Sequence, residues 1–169
     1  MAPPRKVDVR RWRLRITERL ADFPRQHEAL QSAMEEFGPD FDLKQFKGAY
    51  ESKTDLAAYN RAQAVERGLA RIQNYIAEVA IDGCKLGELT IIHKNGEATN
   101  AFATLAEAGV ISRALSVRLQ KAQKARSSIE HFYVRVPAST VHRAAVLVFE
   151  SSREFIGPFR DWIEPYLTS

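Results

Sequence analysis

An arginine, a histidine and a tyrosine crowd into one short stretch of the chain, Arg126-Ser127-Ser128-Ile129-Glu130-His131-Phe132-Tyr133, shortly before Pro137. A guanidinium grips phosphate through two parallel hydrogen bonds. An imidazole passes a proton in either direction near neutral pH. Together these groups suit holding a phosphate and moving a proton. Arg126 falls on an apolar helical stripe with Ile111, Leu115, Leu119, Ala122, Ile129 and Tyr133. A charge there is costly unless an anion meets it. Glu130, one turn on, is the partner nearest in sequence, but arginine followed by glutamate is the weaker order for such a pair. A phosphate explains the position better.

His131 lies five residues beyond Arg126, about 140° away around an unbroken helix. The two side chains converge only if the helix ends or distorts near His131, or if a second copy of the chain supplies one of them. Pro137 disfavours helical geometry at Val136, so a helix end soon after Tyr133 is expected. Taken alone, His131 reads as a surface or packing histidine and Tyr133 as a helix-end aromatic.

Six basic residues (Arg113, Arg118, Lys121, Lys124, Arg126 and Arg135) stand against Glu130 alone between residues 113 and 135. Such a run attracts a polyanion, although a solvated helix face has the same composition. Other chemistries find less support. His27, His93, His131 and His142 show no metal-ligand spacing and no carboxylates join them, so no metal is expected. Cys84, the single cysteine, follows Gly83 with no histidine near it and reads as a packing residue. No glycine-rich phosphate loop is present, and no cofactor is implied.

The elements around this stretch read as helices. Trp12, Ile16, Leu20, Phe23, His27, Leu30, Met34 and Phe37 follow helical steps, with Pro24 placing a kink or a junction of two helices inside them. The arginines at 10, 11, 13 and 15 read as a solvated, frayed helix start. Residues 40–53 read as a connection with room for one helical turn. A second helix from about Asp55 to Ile81 carries Leu56, Tyr59, Ala62, Val65, Leu69, Ile72, Ile76 and Val79 on one face, closed by Asp82-Gly83 and Gly87. Thr90–Glu97 reads as a loop, because no partner strand exists for it. A third helix spans about Glu97–Ala108, a fourth starts after an N-cap at Ser112, and a fifth runs from Ser139 to the C-terminus with a kink at Gly157-Pro158.

The pattern predicts an all-α, up-and-down bundle of about five helices in a single domain spanning residues 1–169, with residues 1–8 as a disordered lead. At 169 residues such a chain buries a real core. A net charge of +4, one cysteine, no secretory leader and no apolar run of spanning length point to a cytoplasmic protein without a membrane segment.

The residues Arg126-x4-His131-x-Tyr133 resemble the signature of the HEPN superfamily, specifically its HepT-like ribonuclease toxins. Residues 101–112 and 59–67 are similar in kind and placement to what precedes the motif there, and the resemblance extends over about residues 10–167. It implies a HEPN-like homodimer with the two motifs facing each other across a cleft, and metal-independent RNA cleavage. In that setting Arg126 holds the scissile phosphate and His131 serves the 2′-OH attack or the leaving oxygen. Tyr133 is then the tyrosine that a nucleotidyltransferase antitoxin modifies with AMP. Ser127 and Glu130 support the pair, and Lys121, Lys124 and Arg135 contact RNA. Ser127 departs from the amide, acid or histidine usual after the motif arginine, and it reaches less far. Small Ala122 and Ala125 permit close approach of a second helix. Two other readings stay open: a noncatalytic helical module for a nucleotidyltransferase or a nucleotide, and a plain structural dimer in which Arg126 and Glu130 pair.

Overall fold

A computed structural model describes residues 6–91, 96–131 and 135–169. Among them are six α-helices and no strands: α1 (Lys6–Glu35), α2 (Leu43–Tyr50), α3 (Leu56–Leu86), α4 (Glu97–Glu107), α5 (Arg113–His131) and α6 (Ala138–Thr168). The starts of three are set by short polar side chains that satisfy otherwise unpaired backbone N–H groups. Asp42 accepts from Gln45 N at 2.8 Å, Asp55 from Ala58 N at 3.0 Å, and Ser112 from Leu115 N at 3.1 Å.

Helix α3 is the central element and touches all five others. Its apolar stripe buries Val65, Leu69, Ile72, Ile76 and Val79. Helix α1 runs antiparallel along it, with Arg15 opposite Asp82, Arg19 opposite Glu78 and Asp22 opposite Tyr75. Helix α6 runs antiparallel to α1, which a hydrogen bond from Arg13 to the Tyr166 carbonyl and one from His27 to the Phe149 carbonyl bracket at its two ends. Helix α5 turns back against α6, where Arg118 pairs with Glu154. The result is an all-α bundle of four long helices, with α2 and α4 as short braces.

Several expectations are corrected. The described residues form six helices rather than about five, because residues 43–50 form a capped two-turn helix whose Phe46 and Tyr50 are buried. Helix α3 does not stop at Asp82-Gly83 but continues to Leu86. Gly83 packs under Phe159, where a Cβ would come within 2.6 Å of the ring, and Gly87 packs under Trp162 in the same way. These glycines permit close helix packing; the first does not end the helix. Pro24 sits inside α1, and Pro158 and Pro165 inside α6, without dividing either element. Arg15 is no frayed, solvated charge: its guanidinium makes two bonds, 2.5 and 2.7 Å, to the fully buried Asp82 carboxylate.

No helix of the described residues is long and apolar enough to cross a membrane. The segment read as a loop, Thr90–Glu97, lies partly outside the described residues. Glu97 itself is the first residue of α4, and its carboxylate meets Lys85 of α3 at 2.9 Å.

Candidate functional site

Helix α5 carries most of the candidate residues, and its geometry separates them. It is an unbroken α-helix from Arg113 to His131. Arg126 lies on the inward side between buried Ala122 and Ile129, and its side chain is 18% exposed. Its Nη2 meets Glu130 Oε1 at 2.7 Å, while its buried Nε has no hydrogen-bond partner among the described residues. Ser127 is half-buried beside it. His131, the final residue of the helix, is exposed. Five residues of regular helix put Arg126 and His131 about 140° apart, so within one chain they point away from each other. Tyr133 lies outside the described residues.

The basic residues divide as clearly. Arg118 is committed to Glu154, and that pairing raises its already high pKa. Arg126 is committed to Glu130. Arg135, beyond the helix, is held over the ring of Tyr50 at 4.1 Å and that of Tyr59 at 5.1 Å. This cation–π arrangement ties its guanidinium to α2 and α3. Those two lysines are exposed and make no ion pair with a described residue, and the same holds for Arg113.

Arg135 belongs to a second cluster that composition and spacing did not single out. The Tyr50 hydroxyl of α2 donates to the Val136 carbonyl at 3.0 Å, pinning the chain where it leaves α5. Burial raises the Tyr50 pKa and, more tellingly, that of the half-buried Glu66 carboxyl, against the opposing pull of the Tyr50 hydroxyl and the Arg135 charge. One turn pair further along α3, Gln73 is fully buried and donates to Gln123 of α5 at 3.0 Å, leaving its own Oε1 without a partner among the described residues. Tyr59, Glu66 and Gln73 are spaced by seven residues, which places them on one line of α3. That seven-residue spacing along α3 was the available signal.

The remaining histidines have structural partners. A carbonyl can only accept, so His27 Nε2 must carry a proton to bond Phe149 O at 3.0 Å, and His142 Nε2 likewise to bond Phe41 O at 2.6 Å. Each ring also stacks on the phenylalanine concerned, with centroids 4.2 Å apart. Cys84 is buried, its thiol pushed up to about 12 by burial, as befits a packing residue. His93 lies outside the described residues. Among the described residues, no three histidine, cysteine, aspartate or glutamate side chains gather as a metal site would need.

No family model, curated protein or solved structure matches the chain.

Proposed function

We infer that this protein is a metal-independent endoribonuclease of the HEPN type, acting as the toxin of a toxin–antitoxin pair. The observation that carries this reading is Arg126, a largely buried guanidinium whose Nε has no acceptor among the described residues. A buried donor without a partner costs free energy comparable to a lost hydrogen bond, and a phosphate oxygen relieves it.

In this reading Arg126 binds the scissile phosphate and stabilises the charge that grows on it. His131 moves the proton, either from the 2′-OH or to the leaving oxygen. Because the two diverge on one α5, the working site takes Arg126 from one chain and His131 from the other in a homodimer. Tyr133 is the residue through which a nucleotidyltransferase antitoxin adds AMP to silence the cleft.

A second reading has its own observation. The Arg126–Glu130 pair already supplies the guanidinium with an anion, which fits a plain structural bundle, and the exposed cations of α5 fit a noncatalytic module that binds a nucleotidyltransferase or a nucleotide. The experiment that separates them is cleavage of mixed tRNA and mRNA in EDTA by the wild type, Arg126→Ala and His131→Ala. Cleavage by the wild type alone supports the ribonuclease. Intact RNA in all three reactions sinks it and leaves the binding module.

A further inference from the structure

His131 shares its side of α5 with the unpaired cations rather than with Arg126. Counting 100° per residue, Arg113, Val117, Lys121, Lys124, Ser128 and His131 fall within a sector of about 80°, and Arg126 lies on the opposite side of the axis. All six are exposed, Val117 at 49%, and none is an acid. The sector runs the full helix, about 27 Å at 1.5 Å per residue. Its three permanent cations make no ion pair with a described residue, whereas Arg118, about 60° beyond the sector's edge, is neutralised by Glu154. A solvated helix face ordinarily interleaves both signs of charge. This one does not.

We propose that the outward face of α5 is a track for a single strand of RNA, its phosphates lying on Arg113, Lys121 and Lys124 and its path ending at His131. The row is one side chain wide, so it follows one backbone; a duplex offers two across a groove. The sector carries no aromatic ring on which a base could stack and only Val117 as an apolar contact, so binding is read through phosphates and is indifferent to sequence. Arg135, held on Tyr50 and Tyr59, stands outside the track. The proposal rests on the ribonuclease reading for the choice of RNA over another polyanion, but its test does not require cleavage.

The test is fluorescence anisotropy of a labelled single-stranded RNA of about a dozen nucleotides across a salt series, with Lys121→Gln/Lys124→Gln against Lys44→Gln/Lys47→Gln on α2 as a charge-matched control. All four lysines are exposed, so folding is not at stake. Each phosphate contact contributes about 0.7 to the slope of log affinity against log salt for a single strand. The α5 double variant is expected to lose about 1.4 of that slope while the control keeps it, for homopolymers of different base alike. Equal slopes for the two variants, or no binding by the wild type, overturn the track. Tighter binding of a duplex with the same lysine dependence overturns the single strand. Lysine-dependent binding without cleavage in EDTA supports the track and rejects the ribonuclease. Cleavage that survives loss of both lysines unchanged does the reverse.

Discussion

Arg126 Nη2 lies 2.7 Å from Glu130 Oε1 one turn along α5, yet Arg126 Nε, in the same guanidinium, is buried without a partner among the described residues. The ion pair answers half of the guanidinium and leaves the other half for something else. An i,i+4 pair of this order is worth only a few tenths of a kcal/mol, so the glutamate is a weak competitor for a phosphate. Glu130→Gln is therefore expected to change stability by less than about 0.5 kcal/mol and to leave RNA cleavage intact or faster. Cleavage abolished by Glu130→Gln in a protein with an unchanged melting temperature would show that the pair itself is the working unit.

The Arg15–Asp82 pair joins α1 to α3 through two hydrogen bonds, and Asp82 is fully buried. Removing one partner strands the other. Arg15→Met, which leaves the Asp82 carboxylate buried and uncompensated, is expected to cost about 3–5 kcal/mol in urea unfolding. The double variant Arg15→Met/Asp82→Leu is expected to recover most of that loss, because two apolar side chains carry no desolvation penalty. Equal destabilisation by the single and double variants would contradict this account.

Gly83 tests the packing of α3 on α6. A Cβ there meets Phe159 at 2.6 Å and Trp162 at 3.3 Å, so one methyl group forces ring or helix to move. Gly83→Ala is expected to lower stability by about 1–3 kcal/mol despite the better helix propensity of alanine. Gly48, where an added Cβ meets nothing within 4 Å, is the control, and Gly48→Ala is expected to be stabilising. Calorimetry of the two variants decides it.

Glu66 makes stability depend on pH with a defined sign. Its folded carboxyl pKa is raised above the unfolded value, with burial the main cause. The folded state therefore holds this proton to higher pH than the unfolded chain. Stability falls as pH climbs through the window between the two values, and the loss is complete above the folded one. Glu66→Gln is expected to gain stability over the wild type near neutral pH and to converge with it below about pH 4, where the carboxyl is protonated in both states. Urea midpoints at the two pH values check it. A gain of the same size at both rejects the titration as its source.

Cys84 should resist thiol reagents for as long as the bundle is folded, since burial pushes its pKa up to about 12 and leaves no thiolate at neutral pH. Modification by a chromogenic disulfide reagent is expected to follow the unfolding curve in urea. Rapid labelling of native protein would show that α3 opens there.

The helices were legible because hydrophobic periodicity is local. The stripes of α1, α3, α5 and α6, and the Ser112 cap, follow from residues within a few turns of one another. The same periodicity put Arg126 on the inner side of α5, where the structure has it. It also set the angle between Arg126 and His131, since a helix of known pitch needs no tertiary information to divide its residues among faces.

What periodicity could not reach were the relations between helices. Gly83 looked like a helix end because glycine is a common terminator, and only the ring of Phe159, 76 residues away in sequence, shows that it is a packing notch. Arg15 looked solvated until Asp82 stood opposite it. The six basic residues around the motif were equivalent as composition. Tertiary structure sorted them, sending Arg118 to Glu154 and Arg135 to Tyr50, and leaving Arg113, Lys121 and Lys124 open. The physical reason is one of range. Backbone geometry and amphipathicity act over a few residues of chain, whereas charge pairing, desolvation and steric fit act through space, and the chain meets its distant partners only once it has folded.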